Sequence, residues 1–205
     1  MRTSDILASL GLGLILSLAG AACGGDDTTQ GNEMEVITTV TLAFTPSVGG
    51  AAMTFEVDDP DGDGGDPPTS DPIMLAPGMF TLAVGFENRL EDPPEIITTE
   101  VMDESDQHQV FFTGTGVNGP ASDQPGAPLT QAYGDMDVNG LPIGLANTIT
   151  AVAGTGMLTV TLRHMPPVND TPVKVAGLAE QVKTGGISSI GGETDATVNF
   201  AVTVQ

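Results

Sequence analysis

Apolar and polar residues alternate along most of the chain with a period of two. Val36, Thr38, Val40, Leu42 and Phe44 share one face of a predicted strand that stops near Pro46. Met53, Phe55 and Val57 continue the pattern after Gly49-Gly50, which predicts a hairpin with the first strand. Phe80, Leu82, Val84 and Phe86 make a third such face. Val110 to Thr115 reads as another strand, and Val198, Phe200, Val202 and Val204 alternate most clearly of all.

Two more strands are predicted at Leu145 to Val152 and Met157 to His164, joined as a hairpin at Ala153-Gly154-Thr155-Gly156. Leu158, Val160, Leu162 and His164 fall on one face of the second. Helical spacing shows in one segment, Glu95 to Gln107, where Ile97, Val101 and Met102 follow Pro93-Pro94. Residues 113–128 and 166–192 are rich in turn formers and read as surface excursions, the second with a helical turn near Val175 to Val182. Short strands at this spacing predict a mainly β fold, an antiparallel two-sheet sandwich, Ig-like in outline, with one or two short helices.

The amino terminus is patterned differently. Arg2 precedes the apolar run Ile6 to Leu18, then come Ala19, Gly20, Ala21, Ala22 and Cys23. A charge, a hydrophobic stretch too short to span a bilayer and a small-residue site make a secretory signal peptide. The expected organisation is a signal peptide over 1–22, a polar tether over 23–34 and one β-sandwich domain over 35–205. With Cys 1 in the sequence, no disulfide partner exists for Cys23, and acylation accounts for an exported lone thiol.

Charge narrows the partners. Lys+Arg is 5 against Asp+Glu 27, a formal net charge of -22, which repels nucleic acid and anionic headgroups. Divalent cations are the better match. The absence of Trp and the single Tyr remove the flat platforms typical of sugar binding.

Two acidic loops carry the spacing of calcium ligands. Asp59, Asp61 and Asp63 precede Gly64 as D-x-D-x-D-G, and Asp135, Asp137 and Asn139 precede Gly140 as D-x-D-x-N-G. Ser70 and Ala146 stand where an EF-hand places its bidentate Glu, so neither loop is one. Calcium is the cofactor these loops would take, and Asp-rich turns between strands explain the same residues without an ion. His108 and His164, with Glu104, Asp106, Glu193 or Asp195, have the donor types of a zinc-class site. A helix-to-strand contact for His108 and a strand-end carbonyl contact for His164 are the alternatives. No nucleophile elbow or phosphate loop is present, so no catalytic residue is assigned and a non-enzymatic role is expected.

The stretch LAGAAC resembles the lipobox of bacterial lipoproteins, with Gly20 where the family prefers Leu. That resemblance implies a lipid anchor on Cys23, and Gly24 after it implies the outer membrane. ITTVTLAFTP, NRLEDPPEIITTEVMDESDQHQVFF, YGDMDVNGLPIGL, LTVTLRHMP and GGETDATVNFAVTVQ together resemble a family of small lipoproteins of Bacteroidota and related bacteria. Its members carry the label type 1 periplasmic binding fold, whose two α/β lobes disagree with the period-two pattern. The expectation is an envelope lipoprotein acting as a binding or structural module toward an envelope protein, a small ligand or an ion. The alternative is a substrate-binding protein that depends on calcium or zinc.

Overall fold

The computed structural model describes residues 36–62 and 64–205. The leader, the tether, Cys23 and Asp63 lie outside the described residues.

The fold is mainly β, in two sheets with two helices, as the alternation predicts. Seven strands form the larger sheet, in the order β3 (Thr69–Ser70), β2 (Met53–Asp58), β1 (Thr39–Pro46), β5 (Gly78–Glu87), β9 (Ala146–Ala151), β8 (Leu129–Tyr133), β7 (Val117–Asn118). The smaller has four: β4 (Ile73–Leu75), β11 (Glu193–Val204), β10 (Gly154–His164) and β6 (His108–Thr113). Most neighbours are antiparallel, but β4 runs parallel to β11 and β7 parallel to β8. These two pairs and the seven-stranded, curled larger sheet are where the sandwich departs from a plain immunoglobulin outline.

The alternating faces become the core. Val40, Leu42 and Phe44 of β1, Phe80, Leu82, Val84 and Phe86 of β5, and Leu158, Val160 and Leu162 of β10 are buried together with Phe200, Val202 and Val204 of β11. Burying each of these side chains contributes about 1.5–3 kcal/mol, and the alternation fixes the register because a one-residue slip turns every apolar side chain outward. A satellite core lies beneath α2 (Leu178–Gly185), where Leu178 and Val182 pack with Phe111, Ala121, Met165 and Ile190. Phe111 and Met165 thus face away from the main core, and both faces of the β6–β10 end are covered.

The β1–β2 hairpin forms as expected. The predicted hairpin between 145–152 and 157–164 does not. β9 pairs with β5 and β8 in the larger sheet, whereas β10 pairs with β11 and β6 in the smaller one. The intervening Val152-Ala153 is a crossover between sheets, which period-two patterning cannot distinguish from a turn. The helix predicted over 95–107 is shortened to α1 (Ile97–Asp103), with Ile97 and Val101 buried and Glu104 at its carboxyl end.

Candidate functional site

β6 and β10 are paired so that His108 lies directly opposite His164, at the end of the core face that carries Val110, Leu162 and Val160. The alternation that buries those apolar residues therefore buries both imidazoles. Their rings stack with centroids 4.4 Å apart and planes 7° from parallel. His108 Nδ1 lies 3.1 Å from the Glu104 backbone oxygen. A carbonyl only accepts, so Nδ1 carries the proton and Nε2 of the neutral ring presents its lone pair.

Glu104 follows α1 and reaches back over the pair. Its Oε2 is 3.8 Å from His164 Nε2, and one ligand atom from each of Glu104, His108 and His164 lies within 4.8 Å of the other two. Asp195 also approaches His108, with Oδ2 3.7 Å from Nε2, but it is not part of the group of mutually close donors. Between Leu162 and Arg163 the β10–β11 register shifts, leaving Asp195 without a partner across the ladder. Such a bulge re-aims a side chain. Arg163 pins it by donating to Thr194 Oγ1 at 2.6 Å, to the Gly191 carbonyl at 2.8 Å and to the Gly192 carbonyl.

The electrostatics of this cluster are unusual. The His108 side chain is 2% exposed and that of Asp195 0%, yet His108 Nε2, His164 Nε2 and both carboxylate oxygens of Asp195 have no hydrogen-bond partner. Most buried polar atoms in native proteins are paired, so four orphans in one place call for a ligand or a cost. Burial pushes Asp195 up to about 6, with Glu193 adding and Arg163 opposing. Burial pushes His108 down to about 4, opposed by the Glu104 carbonyl and reinforced by His164 and Lys174. Both groups are thus held away from charge. The two imidazoles and the Glu104 carboxylate are donor types that suit a divalent transition ion.

The sequence-predicted calcium loops are used differently. Asp137 is buried, and its Oδ1 accepts the amides of Asn139 at 2.8 Å and Leu141 at 2.9 Å. Its Oδ2 is 2.8 Å from Lys174 Nζ, with both side chains 0% exposed, and Nζ also donates to the Ser105 carbonyl at 2.6 Å. Although burial works against its charge, Lys174 and the two amides hold the Asp137 carboxyl below its ordinary range. Asp135 accepts the amides of Gly144 and Ala146, each at 2.8 Å. Asn139 contributes its own amide to Asp137. This loop therefore spends its carboxylates on its own backbone and on Lys174.

In the first loop Asp61 Oδ2 accepts the Asp66 amide at 3.1 Å, and the Asp59 and Asp61 carbonyls accept the amides of Gly62 and Gly64. Asp61 Oδ1 has no hydrogen-bond partner. Nearby, Arg89 draws Glu56, Asp58 and Glu87 together at 3.0–3.2 Å, and the guanidinium is held above its ordinary range chiefly by the Glu56 hydrogen bond. An apolar hollow exists elsewhere, lined by Pro46, Val48, Met53, Pro77, Met79 and Phe80.

Sequence spacing did not bring the two histidines together; strand pairing does. The signals that were present are His164 at the end of an alternating apolar face and the Glu104-x-x-x-His108 interval at a helix-to-strand junction. Asp195 gave no distinguishing signal, because a bulge is invisible in the pattern.

The fold and this cluster together define a β-sandwich-like domain with a buried histidine-carboxylate site. No family model, curated protein or solved structure matches the chain. Among the described residues no helix is long and apolar enough to cross a membrane.

Proposed function

We propose that the chain is an exported envelope lipoprotein, anchored through Cys23, whose β-sandwich is a non-enzymatic binding module for a divalent transition-metal ion held by Glu104, His108 and His164. The observation that carries the metal reading is the buried, stacked imidazole pair whose Nε2 atoms lack hydrogen-bond partners beside the Glu104 carboxylate. Imidazole nitrogens favour zinc-class ions over calcium, which takes oxygen ligands. The anchor reading is supported by the leader and the LAGAAC stretch alone.

Calorimetry on the full chain in detergent, stripped with chelator, tests the ion. Zinc should bind one per chain, and His108→Gln with His164→Gln should abolish it. A zinc isotherm unaffected by those changes ends the reading. Cys23→Ser should move the protein out of the membrane fraction, and unchanged fractionation would overturn the anchor.

A further inference from the structure

We propose that Lys174 is a positioning residue for the metal site: its buried ammonium holds the turn from Glu104 to Gln107, which sets where the Glu104 carboxylate stands and which nitrogen of His108 is bare. This rests on the metal reading above and extends it to a residue outside the three candidate ligands.

Those three are held in different ways. His108 opens β6 and His164 closes β10, so the ladder between the strands fixes one against the other. Glu104 lies in no strand; it follows α1, and its place depends on the turn that leads into β6. Within that turn the Glu104 carbonyl accepts the Gln107 amide at 2.8 Å and faces His108 Nδ1 at 3.1 Å. The same residue therefore offers its carboxylate to His164 and its backbone oxygen to His108. A shift of the turn would disturb both.

Two groups grip the turn from other parts of the chain. The Met165 amide, next to His164, donates to the Gln107 carbonyl at 2.7 Å. Lys174 Nζ donates to the Ser105 carbonyl at 2.6 Å. Lys174 is itself fixed by Asp137 at 2.8 Å, with both side chains 0% exposed, and Asp137 by the amides of Asn139 and Leu141. Burying a charge pair is a poor route to stability, because desolvation offsets most of the attraction, but it does hold its partners in one geometry. Here that geometry ends on the peptide beside Glu104. The D-x-D-x-N-G loop, whose carboxylates are turned to its own backbone and to Lys174, thus serves the ion site as a buttress rather than as a ligand. Partners that orient a ligand in this way typically change metal affinity by about 10–100-fold.

Zinc titration of the stripped full chain in detergent, together with nitrogen NMR of the metal-free imidazoles, tests this. Lys174→Met should raise the zinc dissociation constant about tenfold. Lys174→Met combined with Glu104→Gln should lose less than the product of the two single changes, because both act through one residue. In metal-free wild type His108 should carry its proton on Nδ1, and in Lys174→Met the two tautomers should mix, a readout that needs no ion. Leu82→Ala, a core change in the larger sheet, should lower stability and leave both readouts alone. Should Lys174→Met fail to fold, Lys174→Met with Asp137→Asn removes both charges, keeps an acceptor for the two amides and should show the same two changes. Wild-type zinc affinity with a wild-type tautomer in either variant, or losses that multiply in full, overturns the proposal. Failure of the wild-type chain to take up zinc removes the metal reading instead, and the His108 tautomer then decides by itself whether Lys174 positions the turn.

Discussion

In the metal-free chain, His108 and Asp195 make opposite demands as pH changes, and removing one exposes the other. Asp195 has its folded-state pKa raised from 3.8 to about 6, so it stabilises the fold relative to ionisation below 3.8, and that contribution is lost as pH rises through about 6. The shift corresponds to roughly 3 kcal/mol. His108 has its folded-state pKa lowered from 6.5 to about 4, so its contribution is present above 6.5 and lost as pH falls through about 4. That too is roughly 3 kcal/mol. Between about pH 4 and 6 the two slopes have opposite sign and nearly cancel, leaving this pair silent in the wild type. Asp195→Asn removes the falling slope. Its stability relative to wild type should therefore climb by about 3 kcal/mol between pH 4 and 6 and stay level above, on top of any constant offset from the lost carboxylate. His108→Phe should show the reverse, falling relative to wild type over the same window. Urea midpoints at pH 4, 5, 6 and 7, in the presence of chelator, measure this directly. Because the comparison is variant against wild type, the many other carboxylates drop out. A stability difference independent of pH from 4 to 7 would refute the burial of Asp195 and His108 as described.

Further outcomes follow from the rest of the structure. Lys174→Met leaves the Asp137 carboxylate buried without its cation and should destabilise by about 3–5 kcal/mol in urea, whereas Asp137→Asn keeps an acceptor for the Asn139 and Leu141 amides and should cost less. Asp135→Asn should lower the thermal midpoint but leave any calcium response unchanged, since its oxygens serve the Gly144 and Ala146 amides; a lost calcium response would restore that loop as an ion site. Arg89→Leu leaves Glu56, Asp58 and Glu87 facing one another at a half-exposed position, so the cost should be about 1 kcal/mol and should shrink in high salt.

The sequence showed which faces are buried far better than which strands are neighbours. Val40 to Phe44, Phe80 to Phe86 and Val198 to Val204 are legible because alternation is a local property of each strand, and every one of them lines the core. Pairing is not local. Nothing in Leu145 to His164 marks that the chain changes sheets at Val152-Ala153, and the Gly-rich connection looks like a tight turn. β7 and β8 escaped for a related reason: Val117–Asn118 and Leu129–Tyr133 are short strands in and beside a Gly/Pro-rich stretch whose composition suggested loop. The candidate site was half legible. His164 was placed on the right face by periodicity, and His108 at a helix-to-strand junction. Their stacking and the arrival of Asp195 depend on the β6–β10 register and on one unpaired residue in β11.

The acidic loops, by contrast, had the spacing of ion ligands and at residues 135–140 another use. A carboxylate at a D-x-D-x-N-G turn has two ways to be satisfied: an external cation, or the amides that the same turn leaves unpaired. The second was available because Leu141, Gly144 and Ala146 follow closely enough to bring their N–H groups back, and because Lys174 supplies the one buried cation that balances Asp137. At His108 and His164 no such internal solution is seen among the described residues. Both Nε2 atoms and both Asp195 oxygens stay without a hydrogen-bond partner, and the Arg163 guanidinium, although its charge acts on Asp195, donates to the Thr194 hydroxyl and the Gly191 and Gly192 carbonyls. Where the fold satisfies its own buried acids, spacing misleads about ions; where it leaves imidazoles and a carboxylate unsatisfied in the interior, the chemistry of those donors is the better guide.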